Sequence, residues 1–155
     1  MAKKVNLDVS ERLDITCRRG DSFSITLTLK DSSGTALPLA TDNYSFVMQV
    51  RTGINASKAK GTAGLVLSTQ ELGPKAIGRD GVQRSFEPFV VDNSGNLTIT
   101  ATAETMRKIP GGLYVYDIQQ IKPNTITGVD EHTTILRGNF RVNEDVSDAT
   151  PEARR

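Results

Sequence analysis

The sequence predicts an all-β protein: a sandwich of about eight or nine short antiparallel strands, with one short helix and extended polar loops. Three observations carry this. Apolar and polar residues alternate with a period of two through most of the chain. The alternating positions are rich in Val, Ile, Thr, Phe and Tyr, which suit a half-buried pleated surface. Clusters of Gly, Asp, Asn and Ser separate these runs.

Val5, Leu7 and Val9 alternate first. They precede the main body, so residues 1–12 read as an amino-terminal arm or edge strand able to pair outside the domain. Leu13, Ile15 and Cys17 come next, followed by Phe23, Ile25, Leu27 and Leu29 alternating with Ser24, Thr26 and Thr28. The spacing predicts a compact hairpin over 13–29. Asp31-Ser32-Ser33-Gly34 then reads as a turn, with Gly supplying the positive-φ position. Tyr44, Phe46, Met48 and Val50 form another alternating strand.

Later strands are predicted at Leu65–Ser68, Pro88–Val91, Leu97–Ala101, Leu113–Ile121 and Thr133–Val142. The turn Asp92-Asn93-Ser94-Gly95-Asn96 sits between two of them. Both faces of Leu113–Ile118 are apolar, which predicts a central strand covered on both sides. Ala103–Ile109 is the one helical segment. It follows Thr102, carries Glu104 early and Arg107-Lys108 late, and stops at Pro110-Gly111-Gly112. Phe23, Leu27, Phe46, Val115 and Phe140 are the expected core.

Two stretches break the rhythm: Gly53–Gly64, and Leu72–Phe86 with three glycines. Their composition predicts loops that gain order mainly from a partner. Asp148–Arg155 reads as a polar tail. One domain is expected over 13–147, since the chain shows neither an internal repeat nor a linker.

Composition narrows the function. Nineteen Lys and Arg face eighteen Asp and Glu, so no polyanion is implied and nucleic acid is not an expected partner. The one cysteine, Cys17, rules out an internal disulfide and a Cys-rich metal site, and reads as a buried, inert thiol. The start MAKKVNLDVSER lacks the apolar run of a secretory signal. No run approaches the ~20 apolar residues of a membrane span, so a soluble, cytoplasm-made protein with no membrane partner is expected. The Asn-x-Ser/Thr sites at Asn43, Asn55 and Asn96 then read as loop or strand polarity.

No catalytic constellation is visible, and no enzyme activity, cofactor or metal is expected. His132, the sole histidine, follows Asp130-Glu131 just before a strand, and reads as an exposed turn residue. One His and one Cys do not make a zinc site. Asp92-Asn93-Ser94-Gly95 resembles half of a calcium loop but lacks the spaced acids and the distal Glu. Gly61-Thr62-Ala63-Gly64 is a flexible stretch, not a phosphate loop. Arg18-Arg19 and Lys58/Lys60 have no interleaved aromatics, so they read as solvated surface. Arg19-Gly20-Asp21-Ser22 looks like an adhesion tripeptide. With core-facing Cys17 and Phe23 on either side, it reads instead as a tight corner turned by Gly20.

The same region carries a resemblance. Leu13-Asp14-Ile15-Thr16, a basic turn, and Gly20–Leu29 resemble the opening of a family of small bacteriophage virion proteins. The apolar-Pro-apolar step Leu37-Pro38-Leu39, the strand Phe46–Arg51, Pro110–Gln119 and the closing strand Thr133–Val142 extend it over residues 13–51 and 110–146. The resemblance implies an immunoglobulin-like or baseplate-upper-protein-like sandwich that acts without catalysis. It implies a virion location in the tail, baseplate or fibre-attachment region, with other virion proteins as partners and several copies per particle. A capsid decoration or head-fibre protein, or a receptor-binding adhesin module, are the alternatives.

Overall fold

A computed structural model describes residues 11–31, 33–52, 65–69, 75–77 and 83–144. They form a β-sandwich. One sheet joins β4 (Ser45–Thr52), β5 (Leu65–Ser68), β10 (Gly112–Lys122) and β11 (Glu131–Asn143) with a divided edge made of β1 (Glu11–Arg12) and β2 (Ile15–Arg18). Its order is β1/β2-β11-β10-β4-β5. The facing sheet is β3 (Phe23–Thr28), β9 (Asn96–Ala101) and β8 (Val90–Val91) in the order β3-β9-β8. This is the strand arrangement of an immunoglobulin-type sandwich. A small two-stranded element, β6 (Ala76–Ile77) with β7 (Gln83–Arg84), lies beside β5.

The period-two pattern explains the core. Phe46, Met48 and Val50 of β4, Tyr114, Tyr116 and Ile118 of β10, and Leu136, Phe140 and Val142 of β11 face Phe23, Leu97, Ile99 and Ala101 across the sandwich. Phe23 touches both Phe140 and Phe86, with ring centroids 5.5 and 6.0 Å apart. On the outer face of the smaller sheet, Thr26 meets Thr98 at 3.2 Å and Thr28 donates to Asn96 at 2.9 Å, so its polar positions pair across strands.

Helix α1 spans Ala103–Arg107, two residues shorter than the sequence suggests. The Thr102 hydroxyl accepts from the Thr105 amide at 3.2 Å, capping the start. Met106 and, just past the end, Ile109 are buried against the core, so the helix closes one end of the sandwich.

Both Gly-containing turns form as predicted. Gly34 and Gly95 have φ of +87° and +80°. The Asp31 carboxylate accepts from the Ser33 and Thr35 amides, and the Asp92 carboxylate from the Ser94 and Asn96 amides, all at 2.9–3.0 Å. Each carboxyl titrates below the usual range, held there chiefly by the Ser33 hydroxyl for Asp31 and by the Asn96 amide for Asp92.

Four expectations need correction. The 13–29 region is not a hairpin: β2 runs parallel to β11, while β3 pairs with β9 in the other sheet. Val115 is half-buried, because β10 turns Tyr114, Tyr116 and Ile118 inward instead. Leu27 faces the core but is only half-buried. The strand covered on both faces is β5, all four of whose residues are buried, whereas Leu113 is 50% exposed. Leu72–Phe86 also contributes more than its composition suggests. Ala76 and Phe86 are buried, and the Phe86 amide donates to Ser68 at 3.0 Å. Val5–Val9, Gly53–Gly64 and Asp148–Arg155 lie outside the described residues.

Candidate interaction surface

The Arg19-Gly20-Asp21 corner carries the chain from one sheet to the other. Gly20 has φ +92°, a left-handed conformation that disfavours any side chain, and the Asp21 amide donates to Arg18 at 3.2 Å. Arg19 pins this corner. Its amide donates to Asn143 at 2.7 Å at the end of β11, and its Nε donates to the Arg107 carbonyl at 2.9 Å in the last turn of α1. Its Nη1 sits 3.3 Å from Glu144, whose other oxygen accepts from the Gly111 amide at 2.9 Å. The guanidinium therefore ties three chain segments together, and Asp21 is left exposed beside it.

The divided edge strand has an equally specific cause. Between β1 and β2, the Leu13 amide donates to Arg137 at 2.9 Å. The Tyr116 hydroxyl donates to the Leu13 carbonyl at 2.5 Å, and Asp14 accepts from the Asn139 amide at 3.0 Å. Gly138 lies directly against this interruption, where a Cβ would collide with the Leu13 carbonyl. Burial, with a smaller push from Asp14, raises the Tyr116 phenol to about 12.

On the side of β2 and β3 the two sheets do not close over each other. A groove of about 460 Å³ runs between them, lined by Ile15, Cys17, Phe23 and Ile25, with Arg18 and Asp21 at its corner end. Ile15, Cys17, Ile25 and Leu27 pack against the core yet stay half-buried. Among the described residues β2 pairs only with β11 and β3 only with β9, so both strands present a free edge. Cys17 Sγ lies 3.5 Å from the Arg141 carbonyl, and burial pushes its thiol up to about 11. It is half-buried rather than sealed in the core.

A second exposed feature is the tip between β10 and β11. Ile126 is 95% and Val129 69% exposed. Asn124 accepts from the Ile126 and Thr127 amides at 3.0 and 3.1 Å, so the tip is held by its own hydrogen bonds. Nothing in the alternating pattern flagged it, because its Asn-Thr-Ile-Thr-Gly run reads as an ordinary turn.

Other polar candidates are dispersed. His132 is exposed on β11 opposite Ile121. Asp117 lies on the outer face of β10 between Gln49 and Arg137; burial raises its carboxyl, offset in part by Arg51. Among the described residues no three His, Cys, Asp or Glu side chains gather to hold a metal ion. Among them, too, no helix is long and apolar enough to cross a membrane.

No protein-family model matches the chain, and no curated protein matches it.

Proposed function

We propose that this protein is a non-enzymatic structural component of a bacteriophage particle, an assembly or adaptor protein of the tail, baseplate or fibre-attachment region. It acts through contact surface alone. The observation that supports this most is the open side of the sandwich, where two free strand edges flank a half-buried apolar groove. Exposed edges of this kind are what strand-pairing partners use. The resemblance adds to it: its segments supply β2, β3, β4, β10 and β11, the strands that frame the sandwich and its groove. Arg19, the residue of the tripeptide best suited to reach a receptor carboxylate, is committed to Arg107 and Glu144. That favours an assembly role over an adhesin role.

The test is to fuse a compact density label to the protein and reconstruct labelled particles. Label at the tail, baseplate or fibre-attachment site is the expected result. Label on the capsid would transfer the protein to a decoration or head-fibre role, and absence from purified particles would overturn a virion role.

A further inference from the structure

We propose that copies of this chain associate through two surfaces of opposite charge: the loop end of one copy, with the β10–β11 tip at its centre, seats on the outer face of the larger sheet of the next. This deepens the assembly reading, on which it rests for its role in a particle, by naming a second copy as one of the partners.

The first observation is that arginines gather on one face. Arg12 lies opposite Arg137, Arg141 opposite Leu113, Arg18 opposite Asn143 and Arg51 opposite Val115. Leu136, Phe140, Cys17 and Val50, their chain neighbours, turn to the core, and Arg12 shares the Arg137 rung. The five arginines therefore stand on the outer face. Arg51 is half-buried and the other four are exposed. Among the described residues the carboxylates on that face are Asp117 and Asp14, the latter 3.4 Å from Arg12, which leaves three positive charges in excess. The chain as a whole carries only +1, so the excess reflects placement rather than composition. Every cation on these rungs is Arg and none is Lys, and Leu113, 50% exposed, and Val115 lie among them. Arg beside apolar surface is the composition of a protein interface. No aromatic ring stands on these rungs to stack a base, which disfavours nucleic acid.

The second observation is a surface of the opposite sign at the end of the sandwich away from α1. Thr28 pairs with Asn96 and Ile121 with Ser45, which brings the Asp31 turn, the Asp92 turn, the chain before β4 and the β10–β11 tip to one end. The Thr41 amide donates to Asn93 at 2.9 Å and ties two of these loops together. Exposed there are Asp31, Asp42, Asp92, Asp130 and Glu131 against Lys30 and Lys122, an excess of three negative charges. Ile126 and Val129 protrude among them, 95% and 69% exposed. The Gly128 amide donates to the Asn124 carbonyl at 2.9 Å, in addition to the two bonds to the Asn124 side chain. A tip framed in this way loses little freedom on docking.

Equal and opposite charge, with apolar side chains on both surfaces, selects a second copy. Within one molecule the tip does not reach Leu113, because the run of β10 from Leu113 to Lys122 holds them ~30 Å apart. The chain's own segment after Asn143 is the competitor, since it leaves β11 beside Arg18. Its Asp145, Asp148 and Glu152 are offset by Arg154 and Arg155, and Val146 is its one large aliphatic residue. The loop end brings the larger charge and two exposed aliphatic side chains on a framed tip, which favours it over that segment. Because the two surfaces differ, the contact is heterologous and builds a ring or an open chain.

Sedimentation of the purified full-length protein tests this contact. Wild type should form concentration-dependent oligomers at ~0.1 M salt that dissociate towards ~1 M, as the screening length falls from ~10 Å to ~3 Å. The face variant Leu113→Ser/Arg141→Ser and the tip variant Ile126→Lys/Asp130→Lys change exposed residues only. Both should keep the wild-type unfolding midpoint and sediment as monomers. Mixed, they should yield dimers and nothing larger, because the first keeps its tip and the second keeps its face. In an Arg141→Lys variant, a carbodiimide should join the introduced amine to a loop-end carboxylate, such as Asp130 or Glu131, of a different molecule. Mixing isotopically heavy and light protein identifies such cross-molecule links. The proposal fails if wild type stays monomeric at its highest soluble concentration, or if either folded variant oligomerises as wild type does. It also fails if the introduced amine links only to carboxylates outside the loop end, Asp145 and Asp148 included. Because purified protein suffices, failure here leaves the virion assignment standing, and failure to find the protein in particles leaves this contact standing.

Discussion

Replacing Arg19 with Ala should destabilise the fold by about 1–2 kcal/mol, whereas Asp21→Glu should leave it unchanged within error. The estimate follows from three contacts. The part-buried bond from Arg19 Nε to the Arg107 carbonyl at 2.9 Å has a charged donor. Such a bond contributes ~1.5–3 kcal/mol. The Glu144 pair at 3.3 Å has side chains 40% and 63% exposed. Solvent screening limits a pair like that to ~0.2–1 kcal/mol. Water replaces part of both interactions after truncation, which lowers the net figure. The backbone bond from the Arg19 amide to Asn143 survives. Arg19→Lys should recover little, because an ammonium group cannot reach both Arg107 and Glu144 with the geometry of a guanidinium. With a urea slope of ~1–3 kcal/mol/M, Arg19→Ala should lower the unfolding midpoint by roughly 0.3–2 M. The corner reading is refuted if Arg19→Ala unfolds at the wild-type midpoint, or if Asp21→Glu abolishes attachment to a host while remaining folded.

Three further outcomes are expected. Gly138→Ala should cost ~1–3 kcal/mol and speed amide exchange over residues 13–18, because the added methyl meets the Leu13 backbone; Gly34→Ala, with nothing within 4 Å and only its +87° φ to strain it, should cost ~1 kcal/mol. Leu27→Ala should cost less than Phe46→Ala in the same denaturation assay, since Leu27 is half-buried and Phe46 fully so; equal losses would mean that the groove is closed. Cys17 should alkylate about 100-fold more slowly in native than in unfolded protein at pH 8, because its thiol lies two pH units above the unprotected value. The linkage sign is that of a raised group: its contribution to stability is complete below pH 9 and disappears as pH rises towards 11, so the melting temperature of wild type should fall more over that range than that of Cys17→Ser.

Most strands were legible because each has a local signature. Leu65–Ser68 was placed to the residue, and Asn96–Ala101, Gly112–Lys122 and Glu131–Asn143 differ from their predicted ranges by one or two positions at an end. The Asp31 and Asp92 turns were equally local, each built by one carboxylate and one positive-φ glycine within five residues. Burial was less legible. Periodicity says which residues share a face, but not whether the opposite sheet reaches them. Leu27 and Cys17 face the core and stay half-buried because the larger sheet stops at β2. The converse holds at β5, all four of whose residues are buried, with β6 and β7 beside it from a stretch that reads as a long loop.

The mistaken hairpin shows where sequence patterns stop. Leu13–Cys17 and Phe23–Leu29 are alternating segments joined by a five-residue corner, and such a corner serves a hairpin or a crossing between sheets equally well. What decides for the crossing lies more than 100 residues away. Gly138 leaves room for the Leu13 carbonyl, Asn139 donates to Asp14, and Tyr116 reaches Leu13 from the next strand. These contacts draw the edge strand onto β11 in parallel, an orientation no hairpin can produce. Once β2 is committed to the larger sheet, β3 must find β9 in the smaller one, and the two strands part. The groove is the gap left by that parting. The long-range contacts that defeated the local pattern thus also created the open edge on which the assembly proposal rests.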